Sequence, residues 1–278
     1  LTLRNVLDNI REQKKANGAQ LIERLNSFLY WMDSHGYEIT PVFHDFEKRK
    51  IGVFHISSLA GEKCLRRLQY IKMKVEPSDK EKALVDPVLL RTFSFGIIVH
   101  SWFQTCYEEM VKKGFLYKFE REVNFFDSKR KILGHADGVF ELEKGCEEEI
   151  FELKSITAAS FAYLKEAKDV HKIQAYLYAR QRGCKKVRVQ YYCKDWVAAV
   201  RMPKSTLLSG DLRDVKEFCI NRNDEIVDRI FDGVDLVLEN IRDGRFADRF
   251  CKGTKDSTAK SCPWCSICFS DTRFEELT

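Results

Sequence analysis

The chain has 278 residues, of which 44% are hydrophobic, 12% aromatic and 32% charged, with only five prolines; that is enough apolar material for a large core and lacks the bias of collagen-like, fibrous or disordered polypeptides. Lys and Arg outnumber Asp and Glu by 47 to 42, and the resulting charge of +5 permits a polyanionic partner without requiring one. No run of 18 apolar residues appears, so no membrane partner is expected. The charged opening LTLRNVLDNIREQKK lacks the apolar stretch of a secretory signal, and the expectation is a cytoplasmic, intracellular protein.

In chain order, residues 1–50 read as a helical extension, with Leu21, Leu25, Phe28, Leu29 and Met32 at helical spacing. Ser58 is the expected cap of a helix carrying Cys64, Arg66, Arg67 and Tyr70, and the charged run from Glu76 to Lys82 reads as a surface connection. A long helix is expected from Pro87 to Lys113, with Phe93, Ile97, His100 and Gln104 on one stripe and Gly114 as its stop. Strand-like segments at 119–126, 132–142 and 149–156 predict an antiparallel meander. A helix through Gln174 and Tyr178 follows, then strands at 186–194 and 196–202 and a helical region over 204–242. This order predicts an α/β fold with a central mixed sheet flanked by helices: a core over 51–243 and a cysteine-rich tail over 244–278.

Within 149–156 the side chains alternate, so Glu152 and Lys154 share one face while Phe151 and Leu153 point to the other. Asp137, on the preceding strand, can lie beside Glu152 across an antiparallel pair. Two converging carboxylates repel unless a cation sits between them, and hard oxygen donors favour Mg²⁺ or Mn²⁺. For phosphodiester hydrolysis such a cation polarises the phosphoryl group and activates water, and a neighbouring lysine stabilises the developing charge. A solvated strand face and a turn aspartate would account for the same three residues taken alone.

Around them, Gly96 to His100 gives GxxxH, Gly134 to Asp137 gives GxxD, Glu152 to Lys154 gives ExK, and Gln174 to Tyr178 gives QxxxY. In this order the motifs resemble the RecB-like nucleases of the PD-(D/E)xK superfamily, over a stretch from about Cys64 to Cys268. The resemblance implies that His100, Asp137 and Glu152, with the Leu153 carbonyl, bind the catalytic metal. It implies further that Lys154 is the catalytic lysine and that Gln174 and Tyr178 position DNA or the reacting groups. Glu122 matches a weaker acidic position of the family, and Glu120 competes for it. The implied activity is a divalent-metal-dependent deoxyribonuclease, an exonuclease rather than an endonuclease, acting on DNA with free ends or single strands.

Cys262, Cys265 and Cys268 place three thiols within seven residues, one short of a tetrathiolate site. Cys64, nearly 200 residues earlier, resembles the N-terminal cluster cysteine of the iron–sulfur branch of the same family, which includes CRISPR-adaptation and AddB-type nuclease domains. That resemblance implies a 4Fe-4S cluster on Cys64, Cys262, Cys265 and Cys268. A zinc site on Cys251, Cys262, Cys265 and Cys268 is the alternative. Arg66, Arg67, Lys129, Arg130, Lys131, Lys185, Lys186 and Arg188 are candidate phosphate contacts or solvated turns. No GxxxxGK[ST] occurs, so ATP-driven unwinding would come from a helicase or recombination partner. The rival to the enzyme is a non-catalytic nucleic-acid-binding or scaffold protein with a metal-stabilised tail.

Overall fold

A computed structural model of the chain describes residues 20–43, 50–78, 87–195 and 214–270. In chain order these form α1 (Gln20–His35), β1 (Phe54–His55), α2 (Ile56–Leu59), α3 (Leu65–Met73), α4 (Pro87–Lys112), β2 (Lys118–Asp127), β3 (Ile132–Glu141), β4 (Glu149–Ile156), α5 (Ala158–Ala162), α6 (Asp169–Arg182), β5 (Lys186–Cys193), β6 (Val215–Asn221), α7 (Asp224–Arg242), α8 (Ser257–Lys260) and α9 (Cys265–Ser270). The chain divides into two units of interleaved segments, 1–45, 95–124 and 135–222 in the first and 46–94, 125–134 and 223–278 in the second. No described helix is long and apolar enough to cross a membrane.

The first unit is built on the central mixed sheet. Strand β4 pairs antiparallel with β3 and parallel with β5, and β6 closes the row antiparallel to β5. A parallel pair needs a crossover, here residues 157–185 with α5 and α6. Thr157 starts α5 by accepting the Ser160 N–H, and Gly183, at φ +84°, ends α6 in the left-handed conformation that glycine adopts at little cost. Period-two alternation then sorts β4. Phe151 and Leu153 join Leu21, Leu25 and Phe28 of α1 and Phe103, Tyr107 and Met110 of α4 in one core. Glu152 and Lys154 take the opposite face, where Lys154 meets Gln174 of α6.

Arg188 is not available to a phosphate. It is 2% exposed and donates to Glu149 at 2.7 Å and to Glu217 at 2.6 Å, a buried ion triad tying β4, β5 and β6 together. Alternation also brings Gln190 to Glu217 and the Tyr107 hydroxyl to Gln190, each at 2.6 Å, so this polar network inside the core is hydrogen-bonded throughout.

In the second unit β1 pairs in parallel with Ile132 and Leu133, and α3 packs against α7. A Cβ at Gly233 would lie 3.2 Å from Leu65, which is how close the two helices come. The segment after α7 is sewn to α3 by polar contacts: Gln69 donates to the Arg245 carbonyl at 2.5 Å and accepts the Ala247 N–H at 2.8 Å, and Arg66 donates to the Ala247 carbonyl at 2.7 Å.

Three further expectations change. Residues 215–221 form strand β6, where a helix was expected over 204–242. The alternation in VKEFCIN is satisfied by pairing with β5, and Asn223, whose side chain accepts the Ile226 N–H, delays the helix to Asp224. Ser58 lies inside the short α2, and Cys64 itself occupies the N-cap position of α3 without a side-chain cap bond. The stripe on α4 is buried in its second half alone, since Gln104 is 1% exposed whereas Phe93 and Ile97 are 56% and 38% exposed. The strand expected at 196–202, the helical region at 204–213, and the parts of the N-terminal extension at 1–19 and 44–49, of the charged connection at 79–82 and of the tail at 271–278 lie outside the described residues.

Candidate active site

All six side chains that the four motifs single out for a site fall in the first unit. The β3–β4 ladder runs from Phe140 opposite Glu149 to Gly138 opposite Phe151 and stops there, so the next positions, Asp137 and Glu152, face each other where the strands part. Side-chain bonds take over at that point. Asp137 Oδ2 accepts the Leu153 N–H at 2.6 Å, and Asp137 Oδ1 meets His100 Nδ1 at 3.1 Å. Lys154 Nζ lies 2.5 Å from Glu152 Oε1 and donates to Gln174 Oε1 at 3.2 Å. Gln174 Nε2 in turn donates to the Tyr178 hydroxyl at 3.4 Å, along one face of α6.

β2 can approach β3 this closely because residue 138 is glycine. A Cβ there would overlap the Phe119 ring and fall 3.2 Å from the Glu120 carbonyl. The Phe119 ring is held against Tyr107 and Phe151, which leaves it little room to yield. Gly138→Ala is therefore expected to cost about 1–3 kcal/mol, read as a lower midpoint in chemical denaturation; an unchanged midpoint would show that Phe119 yields freely.

Charge in this site is finely divided. Burial opposes ionisation of Asp137, but His100, Lys154 and the Leu153 N–H hold its carboxyl below the usual range. Burial lifts Glu152 above the usual range against the pull of Lys154, and the neighbouring Asp137 charge adds to the rise. Burial works to neutralise Lys154, yet Glu152 and Asp137 keep its ammonium more basic than usual, and Asp137 does the same for His100. Glu152 Oε2 is buried and has no hydrogen-bond partner. A buried carboxylate oxygen in that condition costs on the order of 1–3 kcal/mol or more, which folding alone gives no reason to retain.

Among the described residues no three His, Cys, Asp or Glu side chains converge at metal-ligand spacing; here Lys154 and His100 lie on the two carboxylates. The donor set itself, two carboxylates and an imidazole with one carboxylate oxygen unsatisfied, fits a hard divalent cation.

The structure separates the two acidic candidates on β2. Glu120 is occupied in a surface ion network with Lys118 and Arg182. Glu122 turns inward and is held by Gln104, which also donates to the Asp137 carbonyl. Two neighbours of the site carried no motif. Gln104 lies one turn beyond His100 on α4, a spacing visible in the sequence. His171 lies on α6, its Nδ1 2.8 Å from the Tyr191 hydroxyl, and burial with Lys154 and Lys168 nearby pushes its pKa down to about 4. Nothing in the local sequence marks it.

The cysteines of interest fall in the second unit. Trp264 donates to the Val75 carbonyl at 2.9 Å, Ser78 donates to the Pro263 carbonyl at 3.1 Å, and Arg249 donates to the Cys268 carbonyl at 3.0 Å. Arg67 lies 5.8 Å from the Trp264 ring and Arg66 5.4 Å from Phe246. These contacts tie the tail to residues 66–78 and to Arg249, and among the described residues the cysteines do not converge at metal-ligand spacing. Cys251 is pushed up by burial, with the charges of Asp256, Cys64, Cys262 and Cys268 adding to it, and Cys262 is pushed up by burial, with Cys64 and Cys268 adding to it. Of the other basic candidates, Arg130 pairs with Asp127 and Asp235 and Lys185 with Glu147, while Lys129, Lys131 and Lys186 are exposed.

No protein-family model and no curated protein matches the chain. Among solved structures, it is similar to LHK-Exo in complex with dAMP at 12% identity and a TM-score of 0.46, covering 70% of this chain and 90% of that one. LHK-Exo is described as an alkaline exonuclease from Laribacter hongkongensis. A phage related exonuclease from Haemophilus somnus 129PT aligns at 14% identity and a TM-score of 0.40, covering 68% of this chain and 93% of that one.

Proposed function

We propose that the first unit is a divalent-metal-dependent deoxyribonuclease that hydrolyses phosphodiester bonds. The observation that carries this reading is the buried, unpartnered Glu152 Oε2, set across from Asp137 and beside an ammonium. Asp137, Glu152 and His100, with the Leu153 carbonyl, would hold Mg²⁺ or Mn²⁺. Such an ion, when bound, polarises a phosphoryl oxygen and acidifies water. Lys154, kept protonated by its carboxylate neighbours, supplies positive charge where the phosphorane develops. Gln174 fixes the lysine, and Tyr178 fixes Gln174. The preference for DNA ends, and so for an exonuclease over an endonuclease, rests on the family resemblance of the four motifs.

End-labelled linear and circular DNA, single- and double-stranded, tests this directly. We expect cleavage of linear substrates with Mg²⁺ or Mn²⁺ and little with Ca²⁺, whose larger, looser coordination activates water poorly. Cutting of circles would make the enzyme an endonuclease. Full activity in excess chelator would remove the metal mechanism, and no cleavage with any ion would leave the nucleic-acid-binding scaffold.

For the second unit we propose a structural 4Fe-4S cluster on Cys64, Cys262, Cys265 and Cys268. The second reading is a zinc site on Cys251, Cys262, Cys265 and Cys268, supported by the electrostatic influence of Cys262 and Cys268 on Cys251. Metal analysis of protein purified without oxygen separates the two.

A further inference from the structure

Where β3 leaves β4, the main chain at Asp137 no longer has a β4 ladder partner, the last paired residue being Gly138. Its carbonyl accepts from a side chain of α4: Gln104 Nε2 donates to Asp137 O at 2.8 Å. The same nitrogen donates to Glu122 Oε1 at 2.6 Å, so both of its hydrogens are committed. Gln104 is 1% exposed and Glu122 8% exposed, and Glu122 sits at φ +50°, a left-handed conformation costly for a side-chain-bearing residue in a strand. One buried amide therefore ties together α4, a kinked position on β2 and the backbone of the residue whose carboxylate faces Glu152.

We propose that Gln104 is a positioning residue for this site: it sets the backbone of Asp137, and with it the direction of the Asp137 carboxylate, while keeping the Glu122 carboxylate inside. This rests on the nuclease reading for its consequence in catalysis, but not for the positioning itself. The division of labour follows from reach. Gln104 touches neither Glu152 nor Lys154 by any contact described, so it acts through the carbonyl of Asp137 and not on the reacting atoms. Interactions that orient donors in this way are commonly worth about 10- to 100-fold in metal affinity or turnover.

The discriminating variant is Gln104→Met, which keeps the volume and length of the side chain but removes both donors; Gln104→Ala removes volume and donors together. If Gln104 only fills space, Met restores what Ala loses. If it positions Asp137, Met and Ala share three effects. The Leu153 amide, which donates to Asp137 Oδ2, exchanges its hydrogen about tenfold or more faster, while Ile150 on the same strand keeps its wild-type rate. Mn²⁺ affinity measured calorimetrically without DNA falls by about 10- to 100-fold, and kcat falls similarly with KM for DNA little changed. Wild-type-like exchange at Leu153 in a folded Gln104→Met protein overturns the proposal, whatever its activity. Should the wild type neither bind Mn²⁺ nor cut DNA, accelerated exchange confined to Leu153 would uphold the positioning role while the nuclease reading fails.

Discussion

Glu152→Gln, Asp137→Asn and Lys154→Met are each expected to lower DNA cleavage by about 10³-fold or more while the protein stays folded, because the first two remove a charge that would hold the metal and the third a charge facing the reacting phosphate, and none removes a packing surface. The three should differ in stability in a way that identifies their roles. Glu152 carries an unsatisfied buried oxygen and sits opposite Asp137, so the neutral amide relieves repulsion and is expected to leave the melting temperature unchanged or raised. Lys154→Met does the reverse. It leaves Asp137 and Glu152 facing each other without the ammonium that lies 2.5 Å from Glu152, so the variant should melt lower in chelator and recover when Mg²⁺ or Mn²⁺ is added. Gln174→Ala and Tyr178→Phe, one and two contacts removed from the carboxylates, should lose activity by about 10-fold only. Near-normal turnover by Lys154→Met in Mg²⁺ would show that the chemistry is elsewhere.

Protein purified without oxygen is expected to be brown, with about four irons per chain, and Cys64→Ser to lower the melting temperature by about 10–15 °C, the size expected when a structural centre contributing several kcal/mol is lost from a domain of this length. The loss should be local at first. Residues 245–247 remain tied to α3 through Gln69 and Arg66, whereas α9 and its approach have the single bonds of Trp264, Ser78 and Arg249 and, with a cluster bound, would have the thiols as well. Proteolysis should therefore cut after Ala247 in Cys64→Ser and spare the wild type. Cys184→Ser, a small buried thiol remote from this group in sequence, should do neither. One zinc and no iron, with Cys64→Ser harmless and Cys251→Ser destabilising, would move the assignment to the zinc site.

Much of this was legible in the sequence because it depends on period and on short-range order. The alternation of Phe151 and Leu153 against Glu152 and Lys154 sorts one apolar and one polar face wherever β4 is placed, and the helix from Pro87 into the second turn beyond Gln104 follows from its uninterrupted pattern up to Gly114. The order His100, Asp137, Glu152, Lys154, Gln174, Tyr178 is likewise a property of the chain alone. Tertiary structure decided what depends on which strand lies beside which. β6 reads as part of a helix until β5 offers its edge, since a short alternating segment gains strand stability only from a partner. Arg188 looks like a surface cation until Glu149 and Glu217, 39 residues before it and 29 after it, close around it. Glu120 and Glu122 are indistinguishable by spacing; a positive φ at Glu122 and the reach of Gln104 from another element turn one inward, while Lys118 and Arg182 hold the other at the surface. Periodicity is local and can be read along a chain, whereas a buried charge or a parted pair of strands is satisfied only by residues that folding brings from elsewhere.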